Sequence, residues 1–143
     1  MTPSSVSALD FIATVLLVPV GEELLFRGIV QGELRKAFPA FVSVVGTTLL
    51  FALFHLDLIQ GSYVLIAGFA LTMAYHLTRN IAIPIAMHAI FNFIGSGWLV
   101  RLTGAGERAE EIIVYALYAF VLIGLAGMLV LRKTSRKRDE TAV

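Results

Sequence analysis

The chain contains no cysteine, which removes disulfide staples, thiolate nucleophiles and cysteine metal sites together. Charge is scarce too: Asp, Glu, Lys and Arg make up 15% of the 143 residues, where an average soluble domain holds about 25%. No polar stretch is long enough for an aqueous domain; the longest are Arg101–Glu111 and the tail Arg132–Val143. The N-terminus lacks the basic region and the small-residue cleavage site of a removable signal, so residues 9–20 read as the first half of a long helix. There is no internal repeat. There is also no sustained polar–apolar alternation of the kind a barrel strand requires.

What the chain does have is apolar sequence. Hydrophobic residues make up 58% of it, and mean hydropathy is +0.86. Ala37–Phe54 and Leu58–Tyr75 are 18-residue runs free of Asp, Glu, Lys and Arg, and Ile81–Val100 and Ile112–Leu131 are 20-residue runs. A helix crossing a bilayer needs roughly 17–25 mostly apolar residues, so a polytopic transmembrane bundle, all-α and of about five helices, is expected. The expected helices cover Ser7–Lys36, Pro39 to near His55, Tyr63–Leu77, Ile81–Leu99 and Ala109–Arg132, with "LDLIQGS" and "LTGAG" as turns. Residues 1–132 form one domain in this reading, and the basic tail 133–143 is disordered. Pro19 and Gly21 fall inside the first helix and are expected to kink or loosen it.

The net charge of +1 says little, but its distribution says more. If the first helix ends in the cytoplasm, Arg35, Lys36, Arg79, Arg132, Lys133, Arg136, Lys137 and Arg138 all lie inside, and only Arg101 and Arg108 lie outside. That asymmetry matches the positive-inside rule and puts the C-terminus in the cytoplasm. A basic run after a membrane helix is ordinarily a topology anchor or a contact with anionic lipid. The tail therefore gives no reason to expect a nucleic-acid partner.

Five ionisable side chains sit at or near membrane depth: Glu22, Glu23, Arg27, His55 and His88. Asn92 joins them as a buried amide. Each ionised group at the centre of a membrane helix costs about 2.5–3.5 kcal/mol unless paired or hydrated. Glu23 and Arg27 are four apart and share a helix face, the arrangement of a neutralising ion pair. Glu22 is rotated by roughly 100° from Glu23 on an ideal helix. It has no local partner and is the candidate general base. Phe51 and His55 are four apart on the second helix, and His88 and Asn92 are four apart on the fourth. Glu and His groups converging from separate helices can bind a metal or activate water, and an amide beside a histidine can donate to an oxyanion. Each feature alone has a plainer reading, as a structural clamp, a helix-end cap or a packing histidine. Three helices would then each carry an unrelated polar defect.

These residues resemble a known family. "EELLFR" (Glu22, Glu23, Arg27) looks like the EExxxR motif of the CAAX protease and bacteriocin-processing family, also called CPBP or Abi. "FALFH" (Phe51, His55) resembles its FxxxH motif, and "HAIFN" (His88, Asn92) its HxxxN motif. The three occur in the family's order on successive hydrophobic segments. The resemblance implies an intramembrane endopeptidase related to type II CAAX prenyl proteases, in the plasma membrane of a bacterium. In the scheme it carries, Glu22 and His55 activate a water, His88 and Asn92 bind the oxyanion, and Glu23, Arg27 and Phe51 support them. A divalent metal such as zinc on Glu22, His55 and His88 is compatible with the scheme, and so is metal-independent attack by water. The implied partners are membrane lipid and a membrane-associated peptide or protein. Family members commonly carry further helices before the EExxxR segment, so a homo-oligomer completing the cavity wall is also an expectation. The alternatives are a non-catalytic immunity or scaffold protein retaining the fold and, ranked last for want of paired broken helices, a proton-coupled transporter.

Overall fold

The computed structural model describes residues 8–56 and 58–104 together with nine separate positions between 108 and 126; the side chains of residues 58–63 are not among those described. All secondary structure among the described residues is helical. The first helix, α1, is continuous through five segments: α-helical Ala8–Phe11, π-helical Ile12–Leu17, α-helical Val18–Glu23, π-helical Leu24–Val30 and α-helical Gln31–Ala37. It is followed by α2 (Ala40–Phe54), α3 (Leu58–Thr78), α4 (Ala82–Gly95) and the short α5 (Trp98–Thr103). The helix expected over Ala109–Arg132 and the basic tail lie outside the described residues, apart from isolated helical positions within the former.

Local chemistry explains the breaks. Phe38 is extended (φ −132°, ψ 158°) because it precedes Pro39, which disfavours the helical region for its neighbour. Arg79 ends α3 with φ 58°, the left-handed conformation that commonly terminates helices. Gly97, at φ 76°, splits what looked like one span over Ile81–Leu99 into α4 and α5. Most of the expected turn "LDLIQGS" is helix, because α3 begins at Leu58. These breaks also change the reading of the apolar runs. At 1.5 Å per residue, the 15 residues of α2 and the 14 of α4 are only about 22 and 21 Å long, against a hydrocarbon core of roughly 30 Å. No helix among the described residues is long and apolar enough to cross a membrane. Pro39 and Gly97 cut the charge-free runs where hydropathy alone cannot see it.

The packing is inverted relative to a water-soluble bundle. The fully buried side chains include Arg27, Gln31, Glu23, Thr47, Thr72 and Ser43. Phe41, Leu53, Phe54 and Ile90 face outward instead, along with many other large apolar residues. Helix α2 shows this on one element: Ser43, Val44, Thr47, Thr48 and Phe51 are buried, whereas Leu49, Leu50 and Leu53 are exposed. Soluble proteins leave scattered apolar residues outside but rarely bury a stripe of hydroxyls beneath them.

The interior is joined by hydrogen bonds between helices. Arg27 Nη2 donates to the Gly68 carbonyl on α3 at 3.0 Å, and Thr72 Oγ1 donates to the same carbonyl at 2.7 Å. Gln31 Nε2 donates to the Thr72 carbonyl at 3.3 Å, and Ser43 Oγ on α2 donates to the Gln31 carbonyl at 3.3 Å. The stretch Val18–Glu23 packs against α4, α3 joins α2 to α4, and the end of α1 lies on α2. The polar stripe of α1 is therefore enclosed on three sides.

Candidate active site

The site grows from stripes spaced by four residues. On α1 these are Glu23, Arg27 and Gln31, all fully buried. Glu23 Oε1 accepts from Arg27 Nη1 at 2.7 Å, so the ion pair expected from the spacing is present. The π winding through Leu24–Val30 needs more residues per turn, which brings positions four apart closer to one line. Burying this pair is expensive in desolvation, and several contacts offset the cost. Arg27 also bonds Gly68 O and lays its guanidinium over the Phe51 ring, with Cζ 4.4 Å from the centroid. Phe51 is the hub of the cluster. Its ring stands edge-on to Phe26 (5.0 Å), His55 (4.9 Å) and His88 (5.8 Å).

The Glu23 carboxylate has a second partner that sequence spacing did not reveal. Oε1 also accepts from His88 Nδ1 on α4, at 2.7 Å. The other ring nitrogen, Nε2, lies 3.6 Å from Glu22 Oε2. The two adjacent glutamates thus bracket one imidazole. Glu23 is fully buried, and the Glu22 side chain is 22% exposed. Glu22 has its nearest ionisable partner on another helix, as its position off the Arg27 face required. That partner is His88 rather than His55.

His55 caps the end of α2 and is half-buried. Its Nδ1 lies 2.9 Å from the Phe51 carbonyl. A carbonyl only accepts, so Nδ1 carries the hydrogen, and Nε2 of the neutral ring offers a lone pair. The same reasoning applies to His88, whose Nδ1 faces a carboxylate. Asn92 is half-buried, more open than an amide at membrane depth was expected to be, and its Nδ2 donates to the Thr14 carbonyl on α1 at 2.9 Å. His55, His88, Asn92 and Phe51 all line one cavity of about 300 Å³, together with Thr14 and Ser96. Glu22 is not among the residues lining this cavity and meets the group at His88 Nε2.

Both histidines have Nδ1 anchored, which leaves Nε2 as the working nitrogen of each ring, and Nε2 of His88 faces Glu22 Oε2. Donor type therefore suits a divalent metal. Spacing does not: among the described residues no three His, Cys, Asp or Glu side chains gather as a metal-binding group. Glu22, His55 and His88 are accordingly not assembled as a ligand set.

Sequence reasoning missed Thr14, Gln31, Gly68 and Thr72. A Cβ at Gly68 would stand 2.7 Å from Phe51 Cδ1, so only glycine lets α3 approach the ring that carries the cluster. Thr14 and Gly68 act through a backbone carbonyl or a lack of bulk, which leaves no mark in side-chain chemistry, whereas Gln31 and Thr72 donate from their side chains, and Gln31 continues the four-residue spacing of Glu23 and Arg27.

The fold and this cluster define a helical protein with a buried Glu/Arg/His core opening onto a cavity. A family model described as type II CAAX prenyl endopeptidase Rce1-like matches residues 4–94. That is more than half of the chain, and the chain belongs to the Rce1-like family, a family of peptidases. No curated protein and no solved structure matches the chain.

Proposed function

We propose that the chain is an intramembrane endopeptidase that hydrolyses a peptide bond in a membrane-associated protein or peptide with a water activated by Glu22. The observation that carries this reading is the bracketing of His88 by Glu22 and Glu23 beside a cavity lined by His55 and Asn92. A gap of 3.6 Å between Glu22 Oε2 and His88 Nε2 is slightly too long for a direct hydrogen bond and too short to seat a water between them, so a small side-chain movement brings the two within proton-transfer distance. Glu22 takes a proton from the attacking water, and the lone pair on His55 Nε2 orients it. The free hydrogen of the Asn92 amide meets the oxyanion that forms on the scissile carbonyl. Proton transfer through Glu22 to His88 Nε2 makes the imidazole a second donor. It then returns the proton to the leaving amine nitrogen. Glu23 holds His88 in orientation throughout, and Arg27 balances the charge of Glu23.

Lipid as the surrounding medium is supported by the inverted packing, with hydroxyls and charges inside and leucine and phenylalanine outside. Helices α2 and α4 are short for independent spans, and the bundle would sit in lipid as a unit, its internal hydrogen bonds engaging Glu23, Arg27 and Gln31 while Glu23 Oε2, Arg27 Nε and Gln31 Oε1 keep no partner among the described residues. A prenylated CAAX-type protein is the substrate class the family description names, and a leader peptide is the second class.

The test is hydrolysis of a fluorogenic membrane peptide panel by purified protein in lipid nanodiscs, wild type against Glu22→Gln. Activity in the wild type that is lost in Glu22→Gln, with an unchanged circular-dichroism spectrum, supports the reading. Equal hydrolysis by both removes Glu22 as the base. Binding without hydrolysis by a folded wild type favours the non-catalytic scaffold.

A further inference from the structure

We propose that Pro19 is a positioning residue for Asn92, acting through the backbone carbonyl of Thr14. Its catalytic consequence rests on the peptidase reading above; its structural content does not.

In an α-helix the Thr14 carbonyl would accept from the amide of Val18, four residues on. Here the Val18 amide donates to the Ala13 carbonyl instead, five residues back. The π register of Ile12–Leu17 therefore assigns Thr14 O to the amide of residue 19. Residue 19 is proline, which has no N–H to donate. Thr14 O is thus deprived of a backbone donor by both events. Thr14 is exposed and lines the cavity, so its carbonyl is open to a donor from another helix. Asn92 supplies the missing hydrogen: its Nδ2 donates to Thr14 O at 2.9 Å, across 78 residues of sequence.

The consequence lies in the geometry of the amide. One hydrogen of Nδ2 is anchored on α1. The second hydrogen and Oδ1 belong to a side chain that lines the cavity with His55 and His88. A freely rotating Asn92 would present either end of its amide to a developing oxyanion. One tied to Thr14 O presents the same end each time. Pro19 itself is fully buried and is not among the residues lining this cavity. It works by what it fails to donate.

The experiment uses the fact that asparagine occurs only at positions 80 and 92. Protein labelled with ¹⁵N at asparagine gives two side-chain amide groups in nanodiscs, and Asn80 serves as the internal control for folding. In wild type the two Asn92 amide protons are expected to be widely separated, one bonded and one free. In Pro19→Ala the new amide competes for Thr14 O, and the separation is expected to collapse while the Asn80 signals stay in place. An ester linkage at residue 19, introduced with the α-hydroxy analogue of alanine, removes the N–H again and is expected to restore the wild-type signals. In the hydrolysis assay, Pro19→Ala is expected to lower kcat by roughly 10- to 100-fold with KM unchanged, and to have no further effect when combined with Asn92→Ala. Unchanged Asn92 signals in Pro19→Ala, or additive losses in the double variant, overturn the proposal. Collapsed signals in a protein whose wild type hydrolyses nothing leave the positioning standing and count against the peptidase reading instead.

Discussion

Glu23 Oε1 accepts from His88 Nδ1 at 2.7 Å while the same oxygen accepts from Arg27 Nη1, also at 2.7 Å. One buried oxygen thereby joins a neighbouring helix to the ion pair on its own. The orientation of the imidazole, and with it the direction in which Nε2 faces, depends on this oxygen.

Glu22 and Glu23 are therefore expected to separate on mutation. Glu22→Gln is nearly isosteric and only half-buried, so stability should change little. Hydrolysis should fall by at least about a hundredfold if the carboxylate is the base. Thermal unfolding and single-turnover rates on the same preparation check both halves, and a stable variant with unimpaired turnover would falsify the assignment.

Glu23→Gln should cost stability first. It leaves the Arg27 guanidinium fully buried without its counter-charge, a loss of about 3–5 kcal/mol for a broken buried pair. Steric trapping or a urea titration in bicelles measures it. The double replacement Glu23→Leu with Arg27→Met should recover most of the loss but not activity, because His88 would still lack its anchor. Recovery of turnover in that double variant would show that His88 orientation is set elsewhere.

Gly68→Ala is expected to destabilise by about 1–3 kcal/mol, the range for overpacking a filled interior. The added methyl would stand 2.7 Å from Phe51 Cδ1. Phe51→Leu should partly relieve the clash, and a double-mutant cycle between the two positions should give a coupling well above the scatter for distant sites. Simple additivity would mean that α3 shifts away from the ring instead.

Hydrolysis is expected to survive exhaustive chelation, because the donor atoms of Glu22, His55 and His88 are not gathered into a three-ligand set. Metal analysis of active protein and assays before and after chelation decide the matter. Activity lost on chelation and restored by zinc would show that substrate binding draws the three groups together.

How much of this was readable beforehand follows the range of the interactions. The Glu23–Arg27 pair, the Phe51–His55 contact and the shared face of His88 and Asn92 were readable because the helix period puts residues four apart side by side. All-helical architecture followed from long apolar runs without alternation. The helix ends were less readable: Pro39 and Gly97 divide runs that hydropathy averages over, so that α2 and α4 came out shorter than the runs containing them, while α3 came out longer than its own.

Sequence alone determined which chemical groups are present and which of them share a helix face. It thereby singled out Glu22 as the carboxylate without a local partner. Only the tertiary structure decided that Glu23 takes both Arg27 and His88, that Asn92 is tied to Thr14, and that Gly68 admits the Phe51 ring. The physical reason is that these contacts depend on the rotation and register of one helix against another. In a chain whose helices are apolar on nearly every side, amphipathicity does not indicate which face turns inward. Buried polar partners more than 40 residues apart, and a carbonyl left open by a proline, settle that instead.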